Sequence, residues 1–268
     1  MVAQLVPDTL WAVVQPILPE NAPSPRGGRP KLEDRAVLAG IIFVLRCGLP
    51  WRALPQQLGF GSGLTCWRRL RDWQQAGVWQ KLHQALLQAL QDAELLDWSR
   101  ASVDSTSVPA PKRGAHTGPN PTDRGKCGSK LHLIVDNNRV PIALSLSGAN
   151  VHDSKKLVDV LNALPKVHDK RFHLLRTRPA KLHADKGYDY PRCRTAVKLR
   201  GITPRIARRQ VEEKSRLGRN RWKVERTFSW LLNYKKLAVR YGRRSDLFLA
   251  LGLLASSLVC FRRLHFNF

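Results

Sequence analysis

Residues 131 to 147 read LHLIVDNNRVPIALSLS, two apolar runs joined by Asn137-Asn138-Arg139. Both runs, 131 to 136 and 140 to 147, have strand length and are flanked by turn-forming residues, and the short polar link between them has the length of a hairpin loop. Upstream, residues 101 to 108 (ASVDSTSV) are rich in small and β-branched residues and read as a further strand. Downstream the pattern alternates. A helix is predicted near 154 to 164, a strand near 181 to 184, a helix near 192 to 199, a strand near 202 to 206 and a long helix from about 215 to 237. Three consecutive strands followed by alternating helices and strands predict an α/β domain with a mixed sheet.

Ahead of these strands the periodicity is helical. Residues 5 to 18 and 32 to 46 carry apolar residues at helical spacing, separated by the connector APSPRGGRP at 22 to 30. That connector reads as a solvated linker, with an extended basic arm for an A·T-rich minor groove as the alternative. Residues 54 to 60, the turn Gly61-Ser62-Gly63 and residues 64 to 75 suggest a helix-turn-helix. Its second helix sets Arg68, Arg69 and Arg71 beside Trp67, Leu70 and Trp73. The competing reading is a small bundle with a solvated basic face. A helix over 78 to 96 completes an all-α region, so the chain divides into a helical part, 1 to 97, and an α/β part, 98 to 268.

The charge is unevenly shared between these parts. The chain has 46 Lys+Arg against 20 Asp+Glu, a net +26. Residues 1 to 97 hold 10 basic and 8 acidic residues, whereas 98 to 268 hold 36 and 12. An excess of that size calls for a polyanionic partner, with nucleic acid the obvious candidate and simple solubilisation the bland alternative. The Gly/Pro-rich stretch 109 to 130 reads as a loop unable to form a core alone, and its Lys112, Arg113, Arg124, Lys126 and Lys130 suit a phosphate backbone.

The five cysteines are scattered without a Cys-x-x-Cys pair, which disfavours disulfides and zinc and fits a reducing cytoplasm. The N-terminus has no signal-peptide pattern. The longest apolar run, LFLALGLLASSLVCF at 247 to 261, has 15 residues, fewer than the roughly 20 needed to cross a bilayer, and reads as a buried helix with no membrane role.

Three carboxylates stand out by position. Asp104 lies mid-strand between Val103 and Ser105, where an unpaired charge is costly to bury. Asp185 directly follows the strand Lys-Leu-His-Ala, at the kind of strand end where α/β sheets place ligands. Glu225 sits in RWKVERTFSWL beside an apolar stripe of Val224, Phe228 and Leu231. An i, i+4 pair with Arg221 is the mundane account of Glu225, worth only about 0.2 to 0.5 kcal/mol. Oxygen ligands of this kind suit Mg²⁺, and paired divalent ions can clamp both sides of a phosphoryl transfer. His132, His152 and His183 make no recognised metal-ligand spacing and read as structural.

At these residues the chain resembles bacterial insertion-sequence transposases of the Asp-Asp-Glu type, specifically insertion-sequence family five. The motifs run in order along nearly the whole chain: VLRCGLPWRALP, WRRLRDWQQAGVW, SVDSTSV, NPTDRGKCGSKLHLIVD, LSLSGANVHDS, LHADKGYDYP, RWKVERTFSWL and NYKKLAVRY. The resemblance implies a ribonuclease-H-like catalytic domain, two Mg²⁺ ions (with Mn²⁺ as a substitute) held by Asp104, Asp185 and Glu225, cleavage at transposon ends and 3′-hydroxyl transfer into target DNA. It also implies a homodimer or larger assembly on DNA, in the cytoplasm at the nucleoid. In the family's Tyr-x2-Arg-x3-Glu-x6-Lys signature, Arg221 and Glu225 match, while Gly218 and Leu232 stand at the Tyr and Lys positions. Lys235 or Lys236 is then the substitute phosphate contact, alongside Arg221 and Lys223. The rival functions are a structure-specific nuclease on the same fold and a non-catalytic DNA-binding regulator derived from a transposase.

Overall fold

The computed structural model describes residues 1–20, 31–210 and 218–266, with side chains described from 222 onward in the last segment. Its main sheet is organised about β1 (Ala101–Pro109), which has partners of opposite sense on its two sides. On one side β1 pairs antiparallel with β3 (Cys127–Asp136), from Ala101 opposite Asp136 to Pro109 opposite Gly128. β3 pairs antiparallel in turn with β4 (Pro141–Gly148), and the two-residue β2 (Gly118–Pro119) adds to the start of β3. On the other side β1 runs parallel to β7 (Lys181–Ala184), which runs parallel to β8 (Thr203–Ile206). This is the ribonuclease-H-like mixed sheet: three antiparallel strands, then two parallel strands across β1. A separate ribbon of β5 (Val167–Asp169) and β6 (Leu174–Arg176) packs on the helical region.

The hairpin at 137 to 139 forms for local reasons. Arg139 takes a left-handed conformation (φ 71°) that closes the three-residue loop, and its N–H donates to the Asp136 carbonyl at 3.2 Å. The buried Asp136 carboxylate pins the turn by accepting the N–H groups of Val140 (2.7 Å) and Asp97 (2.9 Å). Burial nevertheless pushes this carboxyl up to about 7.

The N-terminal helices are α1 (Val2–Leu5), α2 (Asp8–Val14), α3 (Asp34–Cys47), α4 (Gly63–Gln75) and α5 (Val78–Asp92). Ser62 caps α4 by accepting the Thr65 N–H. Gly63 is required beside it, because a Cβ there would lie 1.6 Å from the Trp51 carbonyl oxygen. After the sheet's first strands come α6 (Leu157–Asn162), α7 (Pro191–Leu199), α8 (Gly218–Leu232), α9 (Lys235–Ala238) and α10 (Ser245–His265). α8 lies on β1 and β3, while α10 packs against α5 and β4 and so joins the helical region and the sheet in one hydrophobic core.

Several boundaries differ from the sequence reading, each for an identifiable reason. The short helix expected over 54 to 60 is replaced by two 3₁₀ turns, Trp51–Ala53 and Gln56–Leu58, because Pro55 has no N–H to donate and Gly59 turns left-handed (φ 77°), which leaves no room for an α-helical ladder. The expected helix-turn-helix therefore lacks its first α-helix. The helix expected from 215 to 237 breaks at Asn233 and Tyr234 into α8 and α9, and residues 215 to 217, like the connector 22 to 30, lie outside the described residues. The apolar run 247 to 261 lies within a 21-residue helix, long and apolar enough by composition to cross a membrane, yet most of it is buried within the protein.

The stretch 109 to 130 is more ordered than its composition suggests. β1 extends through Pro109, Gly118–Pro119 pair with the start of β3, and Ser129 Oγ donates to the His116 carbonyl at 2.7 Å. A buried guanidinium secures it. Arg240, 1% exposed, donates to the carbonyls of His116, Gly242 and Arg243 and to Ser129 Oγ, and it sits over the Phe248 ring. Replacing Arg240 with Met keeps the apolar stem but leaves several buried carbonyls without donors. We expect Arg240→Met to cost roughly 3 kcal/mol, read as a lower urea midpoint.

Candidate active site

The parallel pairing of β1 with β7 sets the geometry of the first two carboxylates. Ala101 pairs with Leu182 and Ser102 with His183, partners 81 residues apart in sequence. Asp104 and Asp185 have the same separation, so the continued register sets them side by side just past the end of β7, on strands about 4.8 Å apart. Both carboxylates are half-buried and locally fixed. Ser105 N–H donates to Asp104 Oδ1 at 2.8 Å, and Gly187 N–H donates to Asp185 Oδ1 at 2.9 Å, which makes Asp185 the cap of the turn Lys186–Tyr188. A Cβ on Gly187 would meet that same oxygen at 2.9 Å, so the turn needs glycine to keep the carboxylate in place.

Glu225 lies exposed on α8, the helix that crosses β1, next to the buried Val224 and Phe228. Among the described residues, no three His, Cys, Asp or Glu side chains stand close enough together to hold a metal ion. The structure thus brings Asp104 and Asp185 together and carries Glu225 on the neighbouring helix without gathering all three into one cluster.

Two residues without an assigned role in the sequence reading belong to this site. Tyr188 is 1% exposed, and its hydroxyl has no hydrogen-bond partner among the described residues. Burial, reinforced by the negative charges of Asp153, Asp104 and Asp185, raises its phenol well above the ordinary value. Asp153 forms an ion pair with Lys130 at 2.9 Å. An orphaned buried hydroxyl facing carboxylates, together with the hard oxygen donors of Asp104 and Asp185, fits a site for a hydrated divalent cation. A basic rim was also missed: Arg209 donates to the Lys186 carbonyl and to Tyr190 Oη, and the guanidinium groups of Arg209 and Arg192 sit over the Tyr190 ring at 4.4 and 4.5 Å. Arg192 lies within DKGYDYPRCR and Arg209 beyond it, and nothing local marked the two guanidinium groups as converging on Tyr190.

The expected phosphate contacts separate into two groups. Arg68, Lys112, Arg113, Arg124, Lys126 and Lys235 are exposed. Others are engaged inside the protein. Arg69 pairs with Asp34 at 3.3 Å, Arg71 pairs with Asp72 and lies over Trp67, and Lys130 is held by Asp153 and the Val151 carbonyl. Lys223 donates to Asn137 Oδ1, and Lys236 donates to the Leu49 carbonyl at 2.6 Å. Burial lowers both of these ammonium groups below the usual lysine value. The Arg221 side chain lies outside the described residues.

The histidines occupy structural positions. His132 Nε2 meets Ser147 Oγ at 2.8 Å, and His152 caps a 3₁₀ turn through Ser154. His183 is buried beneath α8, and neither ring nitrogen has a hydrogen-bond partner among the described residues.

A ribonuclease-H-like sheet with one aspartate within β1 and another just past the end of the neighbouring β7 defines a domain of the class that processes nucleic acids. The family follows from comparison with known proteins. Residues 99–260 match the family described as "Transposase DDE domain", and residues 6–83 match "Putative transposase of IS4/5 family". A Burkholderia cepacia protein described as "Putative transposase for insertion sequence element IS402" is 43% identical over 173 residues, spanning 65% of this chain and 80% of that protein. A second protein from Burkholderia cepacia, "Insertion element IS402 uncharacterized 16.2 kDa protein", is 50% identical over 125 residues, 45% of this chain and 84% of that one. Among solved structures, the "Crystal structure of the Mos1 Strand Transfer Complex" aligns over 90% of this chain and 80% of that chain, at 13% identity and a TM-score of 0.28. The chain belongs to the DDE transposases of the IS4/5 type.

Burial of the core histidines has a measurable consequence. His83, His132 and His183 are each lowered to about 4, primarily by burial, so they remain neutral in the folded protein while the unfolded chain takes up protons below about pH 6.5. Asp136, raised to about 7, acts in the opposite sense over the same range. On unfolding near pH 5, three imidazoles gain a proton and one carboxyl loses one. Stability should therefore rise as pH increases from about 4.5 to 6.5. Urea midpoints measured across that window check the sign.

Proposed function

We propose that this protein cleaves DNA at insertion-sequence ends and transfers the resulting 3′-hydroxyl ends into target DNA, using Asp104, Asp185 and Glu225. The observation that carries this reading is the parallel β1 and β7 register, which sets two carboxylates side by side at neighbouring strand positions. Asp104 and Asp185, completed by Glu225 from α8, would hold Mg²⁺, with Mn²⁺ as a substitute. The bound ions supply activation of the attacking oxygen and charge neutralisation at the leaving oxygen.

The chain's own residues position the substrate. Gly187 N–H and Ser105 N–H fix the two aspartates, and Tyr188 offers its unpartnered hydroxyl as a donor beside them. Lys186 directly follows Asp185, and Arg192 and Arg209 gather on Tyr190, so this segment would offer positive charge to a scissile phosphate. Residues 1 to 97 serve as the DNA-recognition part and 98 to 268 as the catalytic part. Arg68, Lys112, Arg113, Arg124, Lys126 and Lys235 supply exposed contacts to the phosphate backbone, with Arg221 completing the helix signature. Assembly as a homodimer or larger unit on DNA belongs to the same reading.

Asp104→Asn, Asp185→Asn and Glu225→Gln should each lower Mg²⁺-dependent cleavage of end-bearing DNA on the order of a thousandfold while leaving the melting temperature near that of the parent. Full activity in any one variant removes that residue from the site. Joined products with a plasmid target separate a transposase from a nuclease that only hydrolyses.

The exposed loop cations give a second expectation. Arg124→Glu with Lys126→Glu should weaken duplex binding and reduce the slope of log K against log salt by about 0.9 per lost phosphate contact. An unchanged slope would show that the loop does not meet phosphates. Lys130→Glu should instead act through stability, because it sets a carboxylate against Asp153.

A further inference from the structure

Behind α8, on the side away from the sheet's strand ends, the structure holds a cavity of about 360 Å³ whose lining includes Arg46, Arg139, Trp230, Tyr234 and Arg262. It lies where α3, the 137 to 139 hairpin, α8 and α10 meet, so its walls come from both the helical region and the sheet. No aspartate or glutamate lines it. Arg46 Nε is buried without a hydrogen-bond partner among the described residues, and so is the hydroxyl of Tyr234, a residue only 4% exposed. The Arg262 guanidinium lies 6.0 Å from the centre of the Tyr234 ring, and Arg139 lies 5.5 and 5.6 Å from the rings of Trp222 and Trp230.

The grouping is costly as it stands. Arg46 and Arg262 are near enough to repel one another, and burial together with that repulsion lowers the Arg46 pKa. Some partly buried cations in this chain are matched by carboxylates, Arg69 by Asp34, Arg176 by Asp169 and Lys130 by Asp153, and others, Arg240 and Lys236, by carbonyl oxygens. Here no carboxylate among the described residues lines the cavity, while an N–H and an O–H remain unpartnered. Unpartnered donors on a concave, aromatic-walled space, with the side-chain amides of Asn138 and Asn233 beside them, suit an anion with several acceptor oxygens, and arginine forks suit phosphate geometry in particular.

We propose that this cavity is a phosphate-binding site, separate from the carboxylates, that seats a backbone phosphate of the bound DNA strand. The source of the phosphate rests on the transposase reading, while the anion site itself does not. Its position fits such a strand. Trp230 follows Glu225 by five residues, about 7.5 Å further along α8 and roughly 140° around it. A strand entering the cavity therefore passes over the helix from the side opposite the carboxylate. The phosphate held there would fix the strand's register relative to Glu225.

The test uses the full chain. Inorganic phosphate titrated at constant ionic strength should raise the melting temperature saturably, beyond the effect of chloride, through preferential binding to the folded state. Arg262→Gln should abolish that shift, and Tyr234→Phe, which removes only the hydroxyl, should weaken phosphate binding about tenfold. If Arg262→Gln fails to fold, Tyr234→Phe decides alone. In the second arm, duplexes bearing one methylphosphonate linkage at successive positions are bound to parent and variant. At one position the neutral linkage should weaken parent binding several-fold and leave the variant unaffected. A melting temperature indifferent to phosphate overturns the anion site. A phosphate shift with no variant-dependent linkage confines the cavity to small anions and overturns the DNA assignment. Failure of the parent to bind any duplex overturns the transposase reading along with that assignment.

Discussion

The rest of the structure depends on β1 accepting partners of opposite sense on its two edges. Its antiparallel pairing with β3 runs its whole length and is reinforced by β4. Its parallel pairing with β7 is recorded at only two residue pairs. The short pairing is nevertheless the one that brings together two parts of the chain some eighty residues apart and aligns Asp104 with Asp185. Because side chains alternate faces with period two, a slip of one residue would turn one aspartate to the opposite face of the sheet. The long antiparallel ladder and the buried Asp136 turn keep β1 fixed while the shorter parallel edge sets the two aspartates on neighbouring strands.

A net charge of +26 does not translate into as many exposed phosphate contacts. Much of the positive charge is spent on architecture. Arg240 gathers carbonyls beneath the 109 to 119 segment, Lys236 closes onto Leu49, and Lys223 ties α8 to the β3 and β4 hairpin through Asn137. A guanidinium can satisfy several carbonyl groups at once, which makes it an efficient fastener where irregular backbone approaches the core. This explains how a Gly/Pro-rich stretch that cannot form a core alone is ordered, and why charge counting overstates the surface available to a nucleic acid.

The fold was legible where local pattern and tertiary outcome agree. The apolar runs at 131 to 147 gave the hairpin, and the spacing of Leu82, Leu86 and Leu90 gave α5. The first helix of the expected helix-turn-helix was misread because Pro55 and the left-handed Gly59 outweigh the apolar spacing of Leu54, Leu58 and Phe60. Asp104 and Asp185 could be chosen from strand position, whereas their adjacency needed a pairing register that no local pattern encodes. Tyr188 and Asp153 were invisible for the same reason, since both acquire their role from the approach of segments distant in sequence. Lys130 and Arg69 looked like phosphate contacts because sequence shows a basic residue but not the acidic partner folded against it.

α8 connects these observations. One side packs Val224 and Leu231 into the core, and Thr227 Oγ1 donates to the Arg139 carbonyl at 2.9 Å, which locks the helix to the hairpin. Glu225 leaves the helix at one angle, and Trp230 meets Arg139 at another. A rigid helix with an acidic contact on one side and a cation-lined cavity on the other can set the distance between a reacting phosphate and a held one. The break at Asn233 and Tyr234 is then part of that arrangement, because it ends the helix where Tyr234 must turn inward between Arg46 and Arg262. A continuous helix to residue 237, as the periodicity alone suggests, would carry Tyr234 onward along the axis instead of folding the chain back at that point. The break leaves the buried Tyr234 ring 6.0 Å from the Arg262 guanidinium, with its hydroxyl unpartnered among the described residues.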